Sequence, residues 1–442
     1  MLISKERLST LFSLAIPIIG GMLSQNLLNL VDIAMVGQLG SAALAAVGLC
    51  GFMNFMAVGL LMGFSSGVQA ISARRIGENK SDEAAKPLNS ALLIITLLSV
   101  ITSSIVYLAI PYLLPLLNSD SKVVILGTDY LSIRIFGVVF VGLNASFRGF
   151  FNGIGLATIY LRTLVVMHFL NILFNYLLIF GKFGFPEMGV SGAAVGTLIS
   201  LFFGTALYFI QAKFIASKYG FLSKKASFQE IKSLISISFP QSITQIMFAT
   251  GLTTLFVIIG KIGTVELAAA NILINVMLVA ILPGIGFGFT SATLCSQALG
   301  RRDMDDAYQW AIDIVKVGFL VISCLGLLMV LFPQHILGIF TTETEVVDVA
   351  VNSLRLTGFF ISLDACGMIL MHSLLGVGDS KHVMIVSSVL QWGFFLPLAY
   401  VLGVYLKFGL ISIWIMQGAY RLIQALIFAK TWHNRNWAHI KI

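Results

Sequence analysis

Charge is scarce in this chain. Only 10% of its 442 residues are Asp, Glu, Lys or Arg, while 58% are apolar; a soluble domain carries about 25% charged residues. A surface facing water on all sides is therefore excluded. Cysteine is nearly absent. Cys50, Cys295, Cys324 and Cys366 sit inside apolar runs, with neither disulfide nor metal spacing, and read as small buried hydrophobes. No cleavable leader is expected, since the first apolar run is too long for a signal h-region and no small-residue cleavage site follows it. No run shows the ten-residue alternation of a membrane barrel. No hydrophilic stretch is long enough for a soluble catalytic domain, so an enzyme is not expected. The net charge of +8 does not signal nucleic acid, because the basic residues lie in short loops and form no patch with interleaved aromatics.

What is present is repetition. Pro17 recurs as Pro240, Gly37 and Gly40 as Gly260 and Gly263, Gly63-Phe64 as Gly286-Phe287, Gly77 as Gly300, and Gly153 and Gly155 as Gly376 and Gly378, all at one constant offset along the chain. Two homologous membrane halves are the usual architecture of a secondary transporter. A spanning helix needs about 20 apolar residues, and twelve runs qualify: 12–37, 47–73, 88–116, 124–149, 157–181, 189–213, 233–260, 266–298, 310–333, 345–375, 381–405 and 409–430. The expected fold is all-α and membrane-integral, two parallel six-helix repeats. The N-lobe is 1–215, a linker 216–232, and the C-lobe 233–442. Basic residues gather on one side: Lys5 and Arg7, Arg74 to Lys86, Arg148 and Arg162, Lys213 to Lys232 with Lys224 and Lys225, Arg301 and Arg302, Lys381, and Lys430 to Lys441. The opposite loops hold only Lys122, Lys182, Lys261 and Lys407. Both termini are then expected in the cytoplasm, in the cell (inner) membrane.

Two carboxylates lie deep in apolar spans, Asp32 in the first and Asp364 in the tenth. An ionised Asp at the bilayer centre costs roughly 2.5–3.5 kcal/mol, and such residues usually face a cavity and bind an ion, a proton or a cationic group. Gln25, Asn29 and Asp32 fall at i, i+4 and i+7, on one helical stripe. Asn171 and Asn175 in the fifth span are i, i+4. These amides can supply oxygens to a small cation or hydrogen-bond a protonated Asp, and they can equally be interhelical glue. Asp364, Gln245, Asn271 and Asn275 are the candidates for a cation or substrate site in the second lobe, each amide alone reading more readily as packing or cavity lining. Arg134 and Arg355 near the outer ends of spans 4 and 10 read as snorkelling residues. Their separation, and that of Gly137 from Gly358, falls two positions short of that between Gly153 and Gly376. This predicts two extra residues in span 10, absorbed as a π-bulge or kink near Asp364.

Several segments together carry a family resemblance: LAIPIIGGMLSQ around Pro17, VDIAMVGQLGSAALAA (31–46), RRIGENKSDEA (74–84), FRGFFNGIG (147–155), NILFNYLLIFGKFGFPEMGVSGAAVGT (171–197) and LLGVGDSK (374–381). In these the chain resembles the multidrug and toxic compound extrusion (MATE) transporters over essentially its whole length. The resemblance implies two six-helix lobes around a central cleft, and antiport in which organic cations leave as sodium ions or protons enter. Carried over, Asp32 matches the acidic residue of the family's first helix, Asn171 and Asn175 its fifth-helix polar pair, and Asp364 the tenth-helix Asp of the NorM-type branch. That branch has a Glu eight residues after the seventh-helix proline, where this chain has Phe248, so the coupling role shifts to Asp32. The expected partners are small organic cations and the lipid bilayer, without nucleic acid or cofactor other than Na+ or H+ as coupling ion, and with a monomer as the working unit. The alternative is a lipid-linked oligosaccharide flippase of the same superfamily. It would favour a basic cleft, whereas the mid-membrane charges singled out here are acidic.

Overall fold

A computed structural model describes residues 3–224 and 227–440. Lys225 and Lys441 of the basic set lie outside the described residues. Among the described residues, twelve helices are long and apolar enough to cross a membrane: α1 Lys5–Gly37, α2 Ser41–Gly77, α3 Ser81–Leu117, α4 Ser121–Gly153, α5 Ala157–Phe180, α6 Gly189–Tyr219, α7 Phe228–Gly260, α8 Thr264–Gly300, α9 Met304–Leu331, α10 Thr344–Gly376, α11 Ser380–Tyr405 and α12 Gly409–Asn434. No strand occurs among the described residues. The fold class expected from the apolar runs is therefore the one found. In lipid, helices satisfy every backbone N–H and C=O internally, which is why runs of this length adopt them.

The repeat governs the backbone. α1 and α7, α2 and α8, and α4 and α10 each begin and end at equivalent positions of the two halves, as the bounds Lys5/Phe228, Gly37/Gly260, Ser121/Thr344 and Gly153/Gly376 show. Turn geometry repeats with it. Asn79 and Arg302 take φ of +59° and +63°. Gly155 and Gly378 sit at φ +83° and +97°, where a side chain would be strained. Ser72 Oγ donates to the Ala84 carbonyl at 2.8 Å, and the equivalent Cys295 Sγ donates to the Ala307 carbonyl at 3.3 Å. Gly153 and Gly376 let α4 and α10 press on α2 and α8: a Cβ on Gly153 would lie 2.7 Å from the Gln69 carbonyl oxygen, and one on Gly376 would overlap that of Ala292.

Equivalent bounds remove the two-residue insertion expected in span 10. α10 is one unbroken α-helix from Thr344 to Gly376, so the π-bulge or kink expected near Asp364 is absent. The pairing of Arg134 with Arg355 is a coincidence of residue type, since in the true register Arg134 matches Thr357. The irregular helices are elsewhere. α4 tightens to a 3₁₀ turn at Ile135–Gly137, where Ser103 Oγ of α3 donates to the Ile135 carbonyl at 3.0 Å. α11 widens into π-turns at Val389–Phe395 and Val401–Tyr405. Pro397 offers no N–H to the carbonyl four residues before it, which accounts for the first.

Contacts group the chain into two compact units, Gly20–Ser242 and Met1–Ile19 with Ile243–Ile442. Both cuts fall two residues beyond the repeated prolines, Pro17 and Pro240. In the first unit a core of Val36, Cys50, Leu114, Leu131 and Ala194 joins α1 to α6. In the second, Leu273, Ile322, Leu354, Ala365 and Trp414 are among the buried residues joining α7 to α12. α10 is the most enclosed of the twelve spans and α3 the least. Leu93, Leu97, Leu108 and Leu116 of α3 are exposed, as suits a face turned to lipid. The cysteines are not all buried, as their apolar surroundings suggest. Cys50 and Cys295 are, but Cys324 is exposed and Cys366 half-buried, because an apolar run in a membrane protein does not distinguish the lipid face from the core.

Each unit anchors the start of one crossing helix by charge. Arg7 Nε donates to Asp313 Oδ2 at 2.7 Å and Nη1 to Asp306 Oδ1 at 2.5 Å, and its guanidinium lies 3.8 Å from the Trp310 ring centre. The repeat equivalent of Arg7 is Glu230, held by Arg75 at 3.5 Å and Lys86 at 3.4 Å. The anchor is the same and its sign is reversed. Asp313 is only 4% exposed, and stripping a buried carboxylate of its cation is strongly destabilising, by about 3 kcal/mol. Arg7→Ala is expected to lower the melting temperature of the purified protein in detergent, and Arg7→Lys to lower it less. An unchanged melting curve for Arg7→Ala would show that the anchor contributes nothing.

Candidate functional site

α1, α5 and α6 bring two hydrogen-bonded polar clusters together inside the 20–242 unit. Asn175 Nδ2 donates to Asp32 Oδ1 at 2.9 Å and to Asn171 Oδ1 at 3.2 Å. Asn171 Nδ2 donates in turn to Thr197 Oγ1 at 3.2 Å and Ser200 Oγ at 3.4 Å on α6. Before Asp32 on α1, Gln25 Nε2 donates to Asn29 Oδ1 at 3.3 Å, and His168 Nε2 lies 3.2 Å from Gln25 Oε1. Both asparagines of α5 are 1% exposed, while Asp32 is half-buried. No cationic nitrogen lies within 4.0 Å of the Asp32 carboxylate among the described residues. The site thus consists of an acid held by an amide donor, with no counter-ion in contact.

Helical periodicity explains why these side chains meet. Asp32 lies seven residues beyond Gln25, and Asn171 and Asn175 lie one turn apart, so each helix presents a single polar stripe. Gly196 admits the contact from α6. A Cβ there would overlap Asn175 Oδ1 and stand 2.9 Å from the Asn175 backbone nitrogen.

A second charged group lies in the other unit. Asp364 on α10 is 8% exposed, and no side chain donates a hydrogen bond to it among the described residues. Its partner is Arg421 of α12, whose Nε stands 3.7 Å from Asp364 Oδ1. They line a cavity of about 30 Å³ with Met277, Phe360, Trp414 and Gln417. The other second-lobe candidates do not join them. Asn271 and Asn275 are exposed on α8 and bonded to each other at 2.9 Å, and Gln245 is half-buried on α7; none of the three lines the cavity. Phe248 receives a hydrogen bond at its carbonyl from Gln391 Nε2 of α11 at 3.5 Å.

Sequence reasoning missed four of these residues. His168 shares the stripe of Asn171 and Asn175, three residues earlier, and that spacing was available. Thr197 and Ser200 carry no signal beyond being hydroxyls in an apolar helix. Arg421 lies well inside a span and belongs to none of the basic loops. Its presence corrects the reading that the mid-membrane charges are acidic alone, since a cation accompanies Asp364.

No group of three or more metal-ligating His, Cys, Asp or Glu side chains occurs among the described residues. The sequence profile of the MatE family matches residues 17–177 and again 240–401. The chain belongs to the MatE family. Its members are transporters and not enzymes, and this MatE protein is a multi-pass membrane protein. It is 28% identical over 436 residues to the probable multidrug resistance protein NorM of Thermotoga maritima, covering 95% of this chain and 90% of the relative. It is 27% identical to the protein of the same description from Rhizobium meliloti, covering 91% and 88%. Its fold is similar to that of a MOP superfamily transporter from Pyrococcus furiosus, with a TM-score of 0.88 at 22% identity, over 96% of this chain and 95% of that one. It is also similar to an outward-facing multidrug resistance MATE transporter, with a TM-score of 0.89 at 22% identity, over 98% and 96%.

The close approach at Gly196 is open to test. Gly196→Ala is expected to force α6 away from Asn175 and cost about 1–3 kcal/mol, lowering the melting temperature and weakening gradient-driven transport. A variant with wild-type melting and transport would show that α6 does not hold Asn175 in place.

Proposed function

We propose that this protein is a cation-coupled antiporter that exports organic molecules, cationic ones among them, from the cytoplasm across the cell (inner) membrane. Its termini face the cytoplasm, its lobes are 1–215 and 233–442 joined by the linker 216–232, and the working unit is the monomer. Multidrug resistance relatives over most of the chain's length support the efflux reading. The observation that carries the coupling is Asp32, a carboxylate within an apolar span that has an amide donor at 2.9 Å and no cation in contact. An acid so placed is charged or neutral according to what it binds, and a binding event of that kind shifts a two-state transporter only through different affinity in the two states.

Asn175 presents an N–H to Asp32 and not an oxygen. One carboxyl oxygen is thereby engaged and the other left to take up a proton. A sodium ion would need a shell of oxygens, which the amide does not supply in this arrangement. The reading therefore favours a proton over sodium as the coupling ion. Asn171, Asn29 and Gln25 assist by fixing the amide and the face of α1, and Asp364 belongs to a substrate site in the second lobe.

The test is efflux of a fluorescent organic cation from proteoliposomes with pH and sodium gradients imposed separately. Wild-type protein is expected to respond to the pH gradient, and Asp32→Asn to lose gradient-driven efflux by at least about tenfold while expressing and melting normally. Undiminished efflux by a well-folded Asp32→Asn protein removes Asp32 from the mechanism. A response to sodium alone overturns the choice of ion.

A further inference from the structure

The Asp364–Arg421 pair is poorly made. At 3.7 Å its closest approach is too long for a hydrogen bond, although charge-assisted pairs normally close to about 2.7–2.9 Å. Arg421 Nε is buried and has no hydrogen-bond partner, and so is Gln417 Oε1 beside it. The remaining contacts of Arg421 are modest: Nη1 donates to Gln424 Oε1 at 3.3 Å, and the guanidinium lies 4.9 Å from the Tyr420 ring centre. Side-chain exposure is 15% for Arg421 and 11% for Asp364, so bulk solvent reaches the pair little. Buried polar atoms are nearly always satisfied, and orphans mark an absent partner. Here a donor, an acceptor and an open carboxylate line one cavity whose walls are Met277, Phe360 and Trp414.

We propose that this cavity is a binding site for amphoteric ligands, molecules that carry an ammonium and a carboxylate on one carbon next to an aromatic or apolar body. The proposal rests on the efflux reading above and names the ligand class that its second-lobe site selects. The argument is one of charge conservation. A simple cation binding Asp364 draws the carboxylate from Arg421 and leaves a buried guanidinium unpaired. A simple anion binding Arg421 strands Asp364 in the same way. Either costs the full penalty of an uncompensated buried charge. A ligand with both charges replaces one long ion pair by two short ones and leaves the charge of the cavity unchanged. Its carboxylate meets the guanidinium, its ammonium meets Asp364 and the Gln417 oxygen, and its ring packs on Trp414 and Phe360. With about 30 Å³ of space, room for about two waters, the cavity admits the charged head as the two side chains part.

The test uses three probes of one shape: phenylalanine with both charges, phenethylamine with the cation alone and 3-phenylpropionate with the anion alone. Binding to purified full-length protein is measured by calorimetry without any ion gradient, so it can fail while gradient-driven efflux stands, and the reverse. The wild type is expected to bind phenylalanine at least about tenfold more tightly than either single-charge probe. Arg421→Met should make phenethylamine the best ligand, and Asp364→Asn should make 3-phenylpropionate the best. Asp364→Asn/Arg421→Met, which leaves no charge unpaired, should fold and lose the ranking. Equal or tighter wild-type binding of phenethylamine, or no binding of any probe, overturns the proposal. The wild-type ranking decides the matter should a single variant fail to fold.

Discussion

A charge inside an apolar span has to be compensated where it stands, because neither lipid nor a packed helix will solvate it. Three carboxylates within this protein's helices illustrate the constraint, each compensated differently. Asp313 near the start of α9 has an arginine at 2.7 Å and is structural. Asp364 has an arginine at 3.7 Å, close enough to offset the charge and too far to satisfy it. Asp32 has no cation in contact and accepts a hydrogen bond from one amide. On the proposed function, the order of decreasing satisfaction is also the order of increasing capacity to bind something else. Function in this molecule is read from how incompletely a buried charge is matched more than from which residue bears it.

The duplicated backbone does not carry duplicated chemistry. The repeat equivalents of Asp32, Asn171 and Asn175 are Leu255, Phe394 and Leu398, and Leu255 is 3% exposed within the second unit's core. The equivalent of Asp364 in the first half is Val141. The same helix frame supports a hydrogen-bonded acid in one unit and an acid–base pair on different helices in the other. Glycines at close approaches and left-handed turn residues kept the register because backbone geometry fixes them, while the polar side chains of the two sites differ between the halves.

Much of this was legible in the sequence, for identifiable reasons. A register fixed by Pro17/Pro240 and Gly153/Gly376 lies in the chain itself, and the matching helix bounds of the two halves follow from it. Asp32 and Asn175 meet because each belongs to a stripe with helical spacing, which is local information. What failed needed information the pattern does not contain. Matching Arg134 to Arg355 and Gly137 to Gly358 by residue type displaced the alignment by two positions and created a bulge in α10 that the helix does not have. Which helix supplies the partner of Asp364 depends on packing between α10 and α12, which a whole further span separates in sequence, and Arg421 has no helical stripe to announce it. The exposure of Cys324 was equally hidden, because a helix apolar all round gives no direction for its inner face.

The reversed sign of the two helix anchors bears on how the halves recognise one another. Arg7 is held by Asp306 and Asp313, and its repeat equivalent Glu230 by Arg75 and Lys86. A tandem of two first halves would set an arginine against Arg75 and Lys86, and a tandem of two second halves would set a glutamate against Asp306 and Asp313. Like charges at such close range are costly, so neither self-pairing is stable at these positions. At these positions each half of the duplicated chain carries the polarity that the other requires.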